Sequence, residues 1–275
     1  MSGFAVDEEL CIQCGLCTQD CVFGLIEMNG FPAIADESRC IGCQHCLAVC
    51  PTGAISIMGK SAEDCDSLKG TLPDEDQMSL LIRGRRSVRM YRPEPIAPER
   101  IGKLVETAWN APTGVNSQSV LVTLMDDPAQ VRAFSDHVYG LLDVAIRNGT
   151  MPDISVSSYL EWALKAKENG VDVIFREAPH LIIASAPKDA PTPTADTIIF
   201  LSYFELMANS MKIGTLWNGF LHSILRLIFP ELKTKLGIPE DHEIGYAMIF
   251  GKPALKYART VDRGPARINR VEWAG

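Results

Sequence analysis

The segment CIGCQHCLAVCP, residues 40–51, places four cysteines in a C-x2-C-x2-C-x3-C spacing followed by a proline. Thiolates are soft ligands, and four of them on one short loop can close around an inorganic centre. This spacing holds [4Fe–4S] clusters in pairs, where the fourth cysteine of each segment ligates the other cluster. The segment therefore predicts iron–sulfur ligation and, with it, the fold of the N-terminal part of the chain.

A second copy of the pattern begins at Cys11, 29 residues before Cys40. The two copies, residues 6–28 and 35–57, also share acidic residues before the cysteines and apolar residues after them. A constant offset over this length indicates a duplicated unit. The cross-ligation rule assigns the cysteines to two clusters, the first held by Cys11, Cys14, Cys17 and Cys50 and the second by Cys40, Cys43, Cys46 and Cys21.

Residues 1–60 resemble the bacterial two-cluster ferredoxins in these motifs. The chain departs from that family at Val22, where a proline usually follows the fourth cysteine. Structural zinc is one alternative, but zinc sites usually pair two C-x2-C units across a longer spacer. Disulfides are the other, and they are rare in proteins that are not exported. Cys65 lies outside both patterns and is expected to be a free thiol, and His45 is expected to be a solvated loop residue.

Charge and composition limit the number of domains, the kinds of partner and the location that the chain can have. The chain has 275 residues, of which 47% are apolar, and this is enough for two domains. Its net charge of −8 is concentrated in residues 1–80, which hold 13 acidic and 3 basic residues. Such a module repels nucleic acid and suits docking to a basic protein surface. No apolar run reaches the length of a membrane span and no leader is evident, so we expect a cytoplasmic protein.

The sequence predicts a domain at 1–60, a polar and acidic linker at 61–76, and a second domain at 77–275. Short apolar runs in the second domain predict buried strands at 120–125, 180–186 and 244–250. Longer amphipathic stretches predict helices from Pro98 onward, near 129–147, at 157–168 and at 196–213, the last with Gly214 as its C-cap. Helices and strands in this irregular order predict an α+β fold.

Five arginines crowd into residues 83–96, RGRRSVRMYRPEPI. Arginine presents a fixed fork of donors that matches phosphate, and a cluster of arginines repels itself unless an anion compensates. Taken alone, such a run is more often a solvated basic face. His180 and His222 each begin an apolar element, and we expect both to be structural residues.

Residues 77–267 resemble the FMN-dependent nitroreductase family. The motifs are R-R-S-V-R, AWNAPTGVNSQS, IGTLWNGF and GKPALKYAR. The resemblance implies FMN held by both subunits of a homodimer, in a domain whose central mixed sheet is flanked by helices. By the same resemblance the FMN contacts would be Arg85, Arg86, Ser87, Arg89, Pro112, Thr113, Gly114, Asn116, Gln118, Trp217, Asn218, Gly219 and either Lys256 or Arg259.

The resemblance implies an iron–sulfur flavoprotein oxidoreductase, in which a ferredoxin-like protein or NAD(P)H supplies electrons to two [4Fe–4S] clusters and FMN. A nitroaromatic or a quinone would be the small acceptor. No catalytic side chain is predicted, because the flavin itself carries the redox chemistry. No G-x-G-x-x-G motif follows a predicted strand, so a separate nicotinamide domain is not expected. An electron-transfer subunit serving a protein partner, and a protein that processes flavin, remain as alternatives.

Overall fold

The computed structural model describes residues 3–273, and their contacts divide the chain into two compact units. The first unit extends to Pro73 and includes the distant segment Thr113–Gln118. The second comprises Asp74–Pro112 and the chain from Ser119 onward. The domain limits at residues 60 and 77 stay a prediction from the sequence.

The first unit is built from two halves with matching geometry. Each half contains one turn of helix that includes its third cysteine, and each of these helices begins after a residue with positive φ, Gly15 at 72° and Gln44 at 60°. Two small antiparallel sheets complete the unit, one joining the two halves and one a hairpin within the first half. The elements are β1 (Ala5–Val6), α1 (Leu16–Gln19), β2 (Ile26–Asn29), β3 (Phe31–Ile34), α2 (His45–Ala48) and β4 (Ile55–Ser56).

Two aspartates 29 residues apart begin equivalent turns in these halves. Asp7 accepts hydrogen bonds from the backbone N–H groups of Glu9 and Leu10, and Asp36 accepts one from Ser38. Such bonds satisfy backbone donors that would otherwise be unpaired at the start of a helical turn. The acidic residues before each cysteine group therefore shape the loops that carry the cysteines.

The second unit is organised around a four-stranded sheet with the order β5-β6-β8-β7. Neighbouring strands in it are antiparallel. The one parallel pairing near the sheet among the described residues is a bridge between Ser87 and Thr215, and the mixed character expected of the sheet is confined to it. The strands are β5 (Leu121–Met125), β6 (His180–Pro187), β7 (Gly214–Trp217) and β8 (His242–Gly251).

Both faces of this sheet are buried, because alternate residues of its central strands enter different apolar clusters. In β6, Leu181 and Ile183 join one cluster, whereas Ile182 and Ala184 join the other. The expected central sheet flanked by helices is confirmed. The helices are α3 (Glu75–Gly84), α4 (Pro98–Ala108), α5 (Pro128–Arg147), α6 (Ser157–Glu168), α7 (Pro193–Ser210), α8 (Gly219–Ser223) and α9 (Leu232–Lys235), with a π-helical turn at Ile224–Ile228 after α8.

The expected end of the longest apolar helix was wrong. α7 ends at Ser210, and Lys212 makes the following turn in the left-handed region, with a φ of 60°. Gly214 does not cap the helix but begins β7. A Cβ atom on Gly214 would lie 2.5 Å from Cγ2 of Val88, so glycine is required there by close packing. In the part of the chain that the structure describes, no helix has the length and apolarity to cross a membrane.

Candidate functional site

Two groups of neighbouring cysteines lie in the first unit, and the assignment of all eight cysteines to two clusters stays a prediction. Burial raises the pKa of the Cys17 thiol, and the neighbouring Cys50 and Cys14 raise it further. Cys50 therefore lies near Cys14 and Cys17, although 33 residues separate it from Cys17. Burial likewise raises the pKa of Cys46 to about 11, and its neighbours Cys43 and Cys40 add to the effect.

Two cysteine sulfurs accept equivalent hydrogen bonds from the backbone. The N–H of Leu25 donates to Sγ of Cys21, and the N–H of Ala54 donates to Sγ of Cys50, both at 3.3 Å. Burial by itself would raise the pKa of Cys50, but hydrogen bonds from Thr52, Ala54 and Gly53 lower it overall. Hydrogen bonds to sulfur stabilise the thiolate, which is the form that binds a metal.

These eight thiols fit two [4Fe–4S] clusters. Within residues 3–273, no three His, Cys, Asp or Glu side chains converge tightly enough to hold a single metal ion. A cubane cluster asks for a wider arrangement, because each of its four thiolates binds a different iron atom. Outside the two sets, Cys65 is exposed, and His45 is solvent-exposed with Nδ1 3.2 Å from Oδ2 of Asp20.

A strongly basic cavity of about 550 Å³ lies in the second unit. Val88 and Tyr257 contribute to its apolar walls, and the described residues that line it include no acid. A cavity with this charge suits a phosphate or another polyanion. Its basic residues are Arg85, Arg86, Arg92, Lys212, Lys252 and Lys256.

A second cavity, of about 290 Å³, contains the segment from Trp217 to Gly219 together with Arg89. Asn218 is buried, and both polar atoms of its side chain bond to the backbone. Its Oδ1 accepts from the N–H of Leu221 at the start of α8, and its Nδ2 donates to the carbonyl of Ile174. The segment is therefore rigid, and its backbone rather than the Asn218 side chain is available to a ligand.

The segment 113–118 groups with the first unit, among the cysteine loops. Nδ2 of Asn116 donates to the carbonyl of Ile41, 2.9 Å away, and Ile41 lies between Cys40 and Cys43. Three of its six residues are non-glycine residues with positive φ, namely Val115, Asn116 and Gln118. Backbone strain of this kind concentrates at functional sites.

The structure thus divides the residues expected to contact FMN into three groups. Arg85, Arg86 and Lys256 line the basic cavity, and Arg89 lines the smaller cavity with Trp217, Asn218 and Gly219. Thr113, Gly114, Asn116 and Gln118 belong to the first unit. Ser87 lines neither cavity, but its carbonyl accepts from the Tyr257 hydroxyl at 3.2 Å, and both Pro112 and Arg259 are exposed.

Sequence reasoning missed one residue that lines the smaller cavity and one that pairs with a lining residue of the basic cavity. Glu205 forms a partly buried ion pair with Arg85, 120 residues away in sequence. Arg176 lines the smaller cavity beside Trp217. Neither residue lies in a motif. The sequence offered one indication of a role for Glu205, namely its position within an apolar helix.

Both expected structural histidines are held in neutral form. Burial lowers the pKa of His180, whose Nε2 accepts a hydrogen bond from the N–H of Ile96 at 2.8 Å. Burial also lowers the pKa of His222, with a further contribution from Arg226, and the ring stacks on Tyr246 at 4.3 Å between centroids. The structure gives both rings packing and hydrogen-bonding roles.

Comparison with known proteins agrees with this division of the chain. Residues 82–252 match the model of the nitroreductase family, and residues 10–55 match that of the 4Fe–4S dicluster domain. A protein named NADH dehydrogenase from Thermus thermophilus is 32% identical over 199 residues, which cover 68% of this chain and 91% of the relative. An NADPH-dependent oxidoreductase from Staphylococcus saprophyticus is 28% identical over 177 residues, covering 60% of this chain and 66% of that protein.

The fold is also found in solved structures. A nitroreductase from Bacteroides fragilis, solved with bound FMN, superposes with a TM-score of 0.54 at 22% identity, over 72% of this chain and 100% of that one. The two family matches confirm the predicted nitroreductase-like α+β fold and the predicted two-cluster ferredoxin-like domain. The chain belongs to the nitroreductase family, and it is an oxidoreductase of that type with a 4Fe–4S dicluster domain at its N-terminal end.

Proposed function

We propose that this protein takes electrons from an external donor through two [4Fe–4S] clusters to FMN, and delivers them to a small acceptor such as a nitroaromatic or a quinone. The observation that carries the proposal is the occurrence of a dicluster cysteine motif and a basic cavity within a nitroreductase-type domain on one chain. FMN would supply the ability to exchange one or two electrons. The residues of the chain supply binding, orientation and charge.

The first unit supports the electron-entry role. Cys50 lies near Cys17 and Cys14, and this proximity supports cross-ligation of the first cluster. The N–H donors of Leu25 and Ala54 would also lower the electron density at two ligand sulfurs. Because residues 1–80 carry most of the negative charge, a donor protein with a basic surface is favoured.

The second unit supports FMN as the cofactor. Arg85, Arg86 and Lys256 would hold the phosphate in the basic cavity, and Arg89 would face the pyrimidine side of the ring in the smaller one. A positive charge at that side favours the reduced flavin, which carries negative charge there. The Bacteroides fragilis nitroreductase, which shares the fold, was solved with FMN bound.

A homodimer is the proposed assembly. The C-terminal residues 252–273 contain no helix or strand and expose apolar side chains that would be costly to leave in water. Val271 and Trp273 are 70% and 88% exposed, respectively. A second copy of the chain would cover them, and size measurement in the FMN-bound state tests this, with a monomer contradicting it.

The iron and FMN content of the anaerobically purified protein tests the proposal. We expect about eight irons and one FMN per chain, since each cubane contains four irons. Cys17→Ser should remove about half of the iron, whereas the matched variant Cys65→Ser should remove none. Equal iron loss in both variants, or an intact protein without iron, would contradict the assignment.

Steady-state assays separate this function from its alternatives. With a low-potential donor, the holoprotein should reduce a quinone or nitroaromatic repeatedly while FMN stays bound. Reduction of a protein partner alone would identify an electron-transfer subunit. Consumption of the flavin would identify a flavin-processing protein.

A further inference from the structure

The turn that carries Arg176 has a strained backbone. Arg176 and the next residue, Glu177, have φ values of 57° and 53°, in the left-handed region that non-glycine residues rarely adopt. Two such residues in succession persist only where the surrounding structure fixes them, and this strain is typical of functional sites.

A buried carboxylate fixes the turn from one side. Asp172 is 8% exposed, and its Oδ1 accepts from the Tyr139 hydroxyl at 2.8 Å and from the N–H of Phe175 at 2.9 Å. Its Oδ2 accepts from the N–H of Glu177 at 3.1 Å. The negative charge of Asp172 is therefore compensated by three donors that lock the turn rather than by a cation.

Asn218 fixes the turn from the other side. Its Nδ2 donates to the carbonyl of Ile174 at 2.9 Å, so the turn is tied directly to the segment Trp217–Gly219. This segment is the one proposed to lie against the flavin. The position of Arg176 relative to it is consequently set by hydrogen bonds at both ends of the turn.

The result is a guanidinium in the smaller cavity whose buried Nε lacks a hydrogen-bond partner. Among residues 3–273, Nε of Arg176 is buried without a hydrogen-bond partner, and the side chain forms no ion pair. Arg85, in contrast, is neutralised by Glu205 at 3.1 Å. Leaving charged donors unpaired costs free energy, so the arrangement indicates that an acceptor group of a ligand completes it.

We propose, as an extension of the function proposed above, that Arg176 is a specificity-determining residue that binds a carboxylate, or a similar oxyanion, of the small acceptor. Arg89 belongs to the segment assigned to the flavin, whereas Arg176 comes from outside every flavin motif. The walls near Arg176 are apolar, from Val156, Val173 and Phe220. A guanidinium not assigned to the flavin, beside apolar side chains, suits an aromatic carboxylate, whose ring packs while its anion pairs in bidentate fashion.

Binding of 4-nitrobenzoate and nitrobenzene to the oxidised, FMN-bound protein tests this inference without turnover. Calorimetry should show that the wild type binds the carboxylate about tenfold more tightly or better, as one charge-assisted bond implies. Arg176→Gln should abolish that preference and leave the affinity for nitrobenzene unchanged, and Arg176→Lys should retain part of it. Arg147→Gln is the matched control, because Arg147 is exposed and already paired with Asp143.

Three results would overturn the inference: no preference for the carboxylate in the wild type, equal loss of both ligands in Arg176→Gln, or an altered FMN content with the preference intact. The last would assign Arg176 to the flavin. Binding with the expected preference but without reduction of 4-nitrobenzoate would instead refute the proposed function and leave this inference standing.

Discussion

Arg85 and Glu205 form an ion pair between the basic cavity and the helix α7, with Nη1 and Oε1 3.1 Å apart. Their side chains are 22% and 10% exposed, so the pair is largely removed from solvent. The Thr215 hydroxyl also donates to Oε1 of Glu205, at 3.3 Å. The carboxylate thus positions Arg85 at the basic cavity and compensates its positive charge, in what we propose to be the phosphate site.

Glu205→Gln is therefore expected to have opposite effects on stability and on phosphate binding. Removing one partner of a partly buried pair should lower the free energy of unfolding of the FMN-free protein by about 1–3 kcal/mol. FMN should bind more tightly, because the Arg85 charge is no longer compensated. Riboflavin, which lacks the phosphate, is the control ligand, and an equal change in both affinities would contradict this role.

Close packing at Gly214 gives a second prediction. A Cβ atom there would overlap Val88, which lies between the arginines of the two cavities. Gly214→Ala should lower the free energy of unfolding by about 1–3 kcal/mol and weaken FMN binding. Gly102→Ala is the matched control in the interior of α4, where a Cβ meets nothing within 4 Å, and it should stabilise the protein by about 0.5–1 kcal/mol. Thermal unfolding of both variants tests this prediction. Equal changes in melting temperature would refute it.

The hydrogen bond from Asn116 to Ile41 predicts an effect on the second cysteine set. Asn116→Ala removes the donor to a carbonyl in the loop between Cys40 and Cys43. Loss of about 1 kcal/mol of local stability should increase the rate of iron release to a chelator several-fold. Gln118→Ala serves as control, since its side chain makes one contact of 3.5 Å, to Asn116. Unchanged iron release in Asn116→Ala would mean that this bond does not stabilise the loop.

His180 predicts a pH dependence of stability. Burial holds its pKa below the unfolded value, so the folded state binds fewer protons than the unfolded state once the pH falls below about 6.5. The stability that depends on neutral His180 is fully present above this pH. It is lost progressively as the pH falls toward the lower pKa of the folded state. His180→Gln, which keeps an acceptor for Ile96, should show a smaller decrease in melting temperature between neutral and mildly acidic pH. If the melting temperatures of variant and wild type changed with pH in the same way, His180 would not be the source of the pH dependence.

The local elements were largely readable from the sequence. The helix predicted at 157–168 coincides with α6 (Ser157–Glu168), and three of the four strands of the sheet lie within about two residues of their predicted bounds, because periodicity and flanking prolines determine such elements. The fourth strand, β7, was not predicted. The cysteine sets could be assigned because ligand chemistry requires a specific spacing, and the repeat at an offset of 29 residues supported the same reading.

Long-range contacts could not be read in the same way. The pairing of Arg85 with Glu205, the grouping of Asn116 with the cysteine loops and the strained turn at Arg176 each depend on residues far apart in the chain. Gly214 was misread for a related reason. A glycine after a helix is usually a cap, and the close approach of Val88 is visible only in three dimensions.

Electron transfer from the iron–sulfur clusters to the flavin is the central claim, and rapid anaerobic reduction of the holoprotein by a one-electron donor tests it most directly. Cys17→Ser is the reference, because direct reduction of the flavin would persist in it. The wild type should show cluster reduction followed by loss of the oxidised flavin absorbance, at a rate well above that of the variant. A flavin that stays oxidised beside fully reduced clusters, or equal rates in the two proteins, would contradict the account.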